Sequence, residues 1–86
     1  MYKVRISKQA SKFILTLNKK DQEKINDRIK QLSISPRNEG VIKLTNVDPD
    51  TYRARQGDYR IIFHIIDDEL IVDVIDINHR KEAYRR

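Results

Sequence analysis

Tyr52-Arg53-Ala54-Arg55-Gln56-Gly57-Asp58-Tyr59-Arg60-Ile61-Ile62-Phe63 is the stretch whose reading decides the fold. Two runs of alternating, strand-prone residues flank Gly57-Asp58, and glycine at the first central position suits a type II′ turn, whose twist matches that of paired strands. With those two residues as the loop, Gln56 faces Tyr59, Arg55 faces Arg60, Ala54 faces Ile61 and Arg53 faces Ile62. Side chains alternate between faces, so Arg53, Arg55 and Arg60 share one side while Tyr52, Ala54, Tyr59, Ile61 and Phe63 take the other. Like charges directly opposite in a sheet cost a few tenths to about 1 kcal/mol. Either the arginines splay into solvent, or an anion sits among them. A third arginine and a basic C-terminal tail weigh toward the anion.

Downstream, Tyr59 to Ile66 is apolar on both faces, as in a strand that lies mid-sheet and is covered on both sides. Asp67-Asp68 reads as the next turn and Leu70 to Ile77 as the returning strand. That register sets Leu70, Val72 and Val74 beside Ile65, Phe63 and Ile61, on the face that takes the helices. The opposite face then holds Arg53, Arg55, Arg60, Ile62, His64, Ile71, Asp73 and Ile75, with Asp73 neutralising part of the arginine cluster. His64, mid-strand between apolar neighbours, reads as a structural group. His79 follows the strand directly, within Asn78-His79-Arg80-Lys81-Glu82-Ala83-Tyr84, where a strand end presents side chains at the rim of the sheet.

Upstream, Tyr2-Lys3-Val4-Arg5-Ile6 alternates as one short strand with Tyr2, Val4 and Ile6 inward. Ser7 caps a helix in which Ala10, Phe13, Ile14 and Leu17 form one face. Asn18-Lys19-Lys20 breaks that pattern, and a second helix runs from about Lys20 to Leu32 with Ile25, Ile29 and Leu32 inward. Asp21 and Glu23 suit its positive N-terminal end. The lysines and arginines on the outer faces of these helices are either solvated surface or a docking face. Ser35-Pro36 and Asn38-Glu39-Gly40 end the helix pair; Val41 to Leu44 is either a brief strand or a packed loop. The whole is one domain, residues 1–86, of α+β class: an N-terminal strand, an antiparallel helix hairpin, then a β-meander, with the helices on one face of a small, mainly antiparallel sheet.

Composition narrows the function. The chain has 86 residues and a net charge of +5. The acids concentrate in residues 59–78, with five acidic to one basic, while residues 1–30 carry nine basic to three acidic. A basic face calls for a polyanion or an acidic protein. The absence of cysteine excludes a disulfide framework and a thiolate metal site, and fits a reducing cytosol. No apolar run approaches bilayer length and no leader is evident, so a cytoplasmic protein without membrane contact is expected. The histidines and acids lack ligand spacing, so no metal and no other cofactor is expected.

The element order, the Tyr52 to Phe63 hairpin and the terminal His79-Arg80-Lys81-Glu82-Ala83-Tyr84 resemble the RelE/ParE superfamily of prokaryotic toxin-antitoxin toxins, over nearly the whole chain. The RelE branch implies a ribosome-dependent mRNA endonuclease that cuts by attack of a ribose 2′-OH on the adjacent phosphate, without a metal. By that resemblance Arg60 is the phosphate-binding arginine, Arg80 the second arginine, which stabilises the leaving group, and Tyr84 the tail tyrosine, which stacks on a base or donates its hydroxyl. Arg53 and Arg55 stand where well-studied RelE toxins carry lysines. Arginine effectively cannot lose its proton, so both are assigned to binding the RNA backbone. The proton acceptor falls to His79, with Glu82 second; His79 otherwise only caps the strand end.

The resemblance also implies a cognate, RelB-like antitoxin whose acidic or amphipathic segment folds on binding, with the ribosome and mRNA as further partners. A monomeric free toxin, with larger assembly through the antitoxin, is expected. The ParE branch implies instead a DNA gyrase inhibitor. The two lysine-to-arginine departures leave a catalytically inactive member as a third reading.

Overall fold

The computed structural model describes residues 1–79. Strand β1 (Lys3–Ile6) leads into helix α1 (Lys8–Leu15), and the cap is the one expected: Ser7 is extended, and its Oγ accepts from the Ala10 N–H at 3.0 Å. That hydroxyl also donates to the Ile75 carbonyl at 2.9 Å, tying the start of α1 to the far end of the chain. Asn18 caps helix α2 (Lys19–Ile34) by accepting from the Asp21 N–H at 2.8 Å. The helix runs to Ile34 rather than Leu32. The constraint that Pro36 places on the residue before it falls on Ser35, so nothing forces an earlier stop.

Strand β2 (Val41–Lys43) resolves the ambiguity at that point, pairing antiparallel with β3 (Tyr52–Gln56). Strands β4 (Tyr59–Ile66) and β5 (Ile71–His79) complete a five-stranded sheet in the order β1-β5-β4-β3-β2. The first and last strands are neighbours and run parallel; every other pair is antiparallel.

Both helices lie on one face of the sheet. Ala10, Ile14, Ile25, Ile29 and Leu32 pack on Tyr52, Ala54, Ile61, Phe63, Val72, Val74 and Ile77 in a single buried cluster. Phe63 is wholly buried and its ring stacks on Tyr52 at 5.8 Å. Burying a side chain of this kind contributes about 1.5–3 kcal/mol. Among the described residues no element covers the other face, so β4 is central without being covered on both sides.

The last hairpin departs from the expected register. Its turn is longer than Asp67-Asp68: Asp67–Glu69 make a 3-10 turn and Leu70, at φ 53°, sits in left-handed conformation, half-exposed, outside the strand. Val72 therefore opposes Ile65, and Val74 opposes Phe63. The ladder then slips: Ile62 pairs with Asp76 and Ile61 with Ile77, leaving Ile75 as an unpaired extra residue in a β-bulge. The bulge reverses the alternation, so Val72, Val74 and Ile77 all reach the helix face although Ile77 is odd in number.

The same shift corrects the placing of Asp73. It stands opposite His64 and pairs with Arg5 of β1 at 3.6 Å, not with the hairpin arginines. The turn at Asp67 is held by the Arg37 fork, with N···O distances of 3.1 and 2.8 Å, and by the Tyr2 hydroxyl at 2.9 Å. These donors, Arg37 first, hold the Asp67 carboxyl below its ordinary range. A depressed carboxylate pKa contributes stability that is present above the unfolded-state value and lost as pH falls through the folded one. On going from about pH 7 to about pH 3, across the ordinary carboxylate range, the urea midpoint of the wild type should fall more than that of Asp67→Asn. Equal falls would show that the clamp contributes nothing.

Candidate functional site

The site is built on the β3–β4 hairpin. Gly57 has φ 60° while Asp58 is not in the left-handed region, as a type II′ turn requires. The pairing is Gln56 to Tyr59, Arg55 to Arg60, Ala54 to Ile61 and Arg53 to Ile62, as the sequence predicts. Arg53, Arg55 and Arg60 thus lie together on the sheet face opposite α1 and α2. Arg53 and Arg60 are half-buried and Arg55 is exposed.

Beyond Arg60 the same face continues onto β5, where the bulge puts Asn78 directly opposite Arg60 and Asp76 opposite Ile62. Asp76 is engaged: it accepts from Gln9 of α1 at 2.8 Å and from the Asn78 amide at 2.9 Å. Because a carboxylate only accepts, that contact fixes the Asn78 amide with its nitrogen toward Asp76. Its oxygen is left buried and without a donor. A planar, permanently charged fork beside an exposed second guanidinium suits a phosphate or another oxyanion.

His79 is placed differently. It pairs with Tyr59, and the two rings meet edge to face at 5.4 Å. Tyr59 belongs to the helix side: its hydroxyl donates to Asp21 at 2.8 Å and its ring meets Phe13 edge-on at 6.0 Å. The Asp21 carboxylate, through that bond, raises the Tyr59 pKa and keeps its proton on. So the sheet brings Arg53, Arg55 and Arg60 together, and sets His79 at the same rim but on the other face. Arg80, Glu82 and Tyr84 lie outside the described residues.

Asn78, the actual neighbour of Arg60, was missed by sequence reasoning. An unbroken alternation counted from Leu70 sends residue 78 to the helix face, and only the bulge turns it outward. His64 stands two residues further along the outer face from Ile62, against Asp73, away from the arginines. Among the described residues no group of three or more acidic or imidazole side chains lies close enough to hold a metal ion, and no helix is long and apolar enough to cross a membrane.

The arrangement of two helices on one face of this sheet recurs in known proteins. Residues 4–84 match the family described as ParE toxin of type II toxin-antitoxin system, parDE. The chain belongs to the RelE/ParE superfamily of type II toxins. The RelE–RelB complex of Pyrococcus horikoshii superposes with a TM-score of 0.82 at 30% identity, covering 99% of this chain and 98% of that one. The intact RelBE toxin-antitoxin complex of E. coli gives 0.79 at 26% identity over 92% of this chain and 96% of that one. Toxin RelG of Mycobacterium tuberculosis is 39% identical over 36 residues, 42% of this chain, and the match spans 41% of that relative's length. This RelE/ParE chain is thus the toxin of a type II toxin-antitoxin pair.

Proposed function

We propose that this toxin is a ribosome-dependent mRNA endonuclease acting without a metal or other cofactor. The observation that carries the reading is the convergence of Arg53, Arg55 and Arg60 on the sheet face opposite the two helices, at the rim to which β5 delivers His79. Arg60 holds the scissile phosphate and stabilises the charge it gains, and Arg53 and Arg55 hold the flanking backbone. The ribose 2′-OH gives its proton to His79, reached over the rim, and its oxygen attacks phosphorus. The bond to the 5′-oxygen breaks, leaving a 2′,3′-cyclic phosphate and a 5′-OH. Arg80 steadies the leaving oxygen, and Tyr84 stacks on a base or supplies the proton.

The partner is a RelB-like antitoxin. RelE is bound to RelB in the Pyrococcus and E. coli complexes, and a basic, one-sided sheet suits an acidic or amphipathic segment that folds as it binds. The free toxin is a cytoplasmic monomer, and larger assemblies form through the antitoxin.

Incubating the purified toxin with programmed ribosomes and mapping the mRNA ends tests the reading. Cleavage within the A-site codon, giving cyclic-phosphate and 5′-OH ends, is the expected result; intact mRNA rejects it.

The family match to ParE favours one other reading, a gyrase inhibitor on the same scaffold. Inhibited supercoiling with intact translation selects it. Loss of neither activity selects an inactive member that only binds its antitoxin or RNA, consistent with arginine at both usual lysine positions.

A further inference from the structure

Tyr59 is held from three directions. Phe13 of α1 meets its ring at 6.0 Å, Asp21 in the first turn of α2 accepts its hydroxyl at 2.8 Å, and His79 at the end of β5 meets it at 5.4 Å and 87°. One side chain thereby joins both helices to the last described residue of the sheet. Tyr59 also precedes Arg60 in the chain. A single step of backbone sends the ring to the helix face and the guanidinium to the open face, so any movement of one is felt by the other. Asp21 sits where the helix N-terminus favours its charge, which secures the far end of the tether.

We propose that Tyr59 is a positioning residue: its ring, braced by Phe13 and Asp21, fixes the imidazole of His79, and with it the point from which the tail departs, relative to Arg60. The inference rests on the nuclease reading. The ring, not the hydroxyl, is the working part, because the ring is what His79 touches. The hydroxyl bond to Asp21 only steadies it. A wall of this kind acts on the chemical step, since displacement of a reacting group by about 1 Å can cost a hundredfold in rate.

The test compares Tyr59→Phe and Tyr59→Leu with Arg60→Ala, in cleavage on programmed ribosomes and in the NMR spectrum of the His79 imidazole. Tyr59→Leu should lower kcat by about ten- to a hundredfold with KM within about twofold, and Tyr59→Phe should stay within about threefold of wild type in both. The His79 ring resonances should move in the leucine variant and hold in the phenylalanine variant. Tyr59→Met fills similar volume without a ring face and gives the same reading if the leucine variant does not fold.

Wild-type kcat in the leucine and methionine variants, an equal loss in Tyr59→Phe, or unmoved His79 resonances overturn the inference while Arg60→Ala remains inactive. Full activity of Arg60→Ala overturns the nuclease reading and this inference with it.

Discussion

Replacing Arg60 by alanine is expected to lower mRNA cleavage by about a hundred- to a thousandfold, the usual loss when one pre-organised donor to a developing negative charge is removed. Arg60 is half-buried, stands across from Arg55 on one side and Asn78 on the other, and lies on the face opposite α1 and α2. Alanine keeps the strand and the core beneath it, because Tyr59 and Ile61 face the helices independently. Thermal unfolding should thus change far less than cleavage.

Lysine at the same position keeps the charge without the bidentate geometry and should fall between alanine and wild type. Arg5→Ala is the internal control. It lies on the same face but is paired with Asp73, and it should leave cleavage within about twofold, as expected for an exposed pair worth about 0–1 kcal/mol. Cells making the Arg60→Ala protein without antitoxin should grow. Unimpaired toxicity of that variant rejects the site.

Replacing Ile77 by aspartate should have the largest structural effect of any single change. Ile77 is buried on the helix face, where the bulge at Ile75 turns it, so the new carboxylate enters the core. Loss of the Ile77 side chain from the core costs about 2–5 kcal/mol, and bringing a carboxylate among Phe63, Ile61 and Ile14 adds several more. Small domains have about 5–15 kcal/mol in all. The Ile77→Asp variant should therefore lack a cooperative urea transition. Deleting Ile75 removes only the extra residue: Asp76 then follows Val74, Ile77 and Asn78 keep their faces, and the loss should be no more than about 2 kcal/mol. An Ile77→Asp variant with a cooperative transition near that of wild type would mean that Ile77 does not lie in the core.

The parts of this fold that were legible are those set by near neighbours. Gly57-Asp58 fixes the parity of ten flanking residues at once, because a two-residue loop leaves the hairpin one register, and this alone grouped the three arginines. The helices were legible from Ala10, Phe13, Ile14 and from Ile25, Ile29, Leu32, whose spacing admits one face each. What failed depends on remote contacts. The bulge at Ile75 is held by the Ser7 hydroxyl, 68 residues away in sequence, and nothing within Ile71–His79 announces it. From that one missed residue follows the overlooked Asn78, while the misplacing of Asp73 follows from the longer turn at Asp67–Glu69, which shifts the ladder ahead of the bulge. The parallel pairing of β1 with β5 was unreadable for the same reason.

That pairing also sets when the molecule can be finished. Among the described residues the first strand made pairs only with the last, since Lys3–Ile6 hydrogen-bonds along Ile71–Val74. At about 5–20 residues per second, synthesis of these 86 residues takes roughly 4–17 s. For most of that time the helix hairpin has been made, but the strands that bury Ile25, Ile29 and Leu32 are incomplete. The flank of Arg60 supplied by Asn78 arrives still later. A long loop must close before the native sheet rewards it, so a chain cut short before Ile71 has exposed apolar helix faces and lacks the Asn78 flank of Arg60. Completion of the sheet beside Arg60 therefore waits on a strand made after its own hairpin.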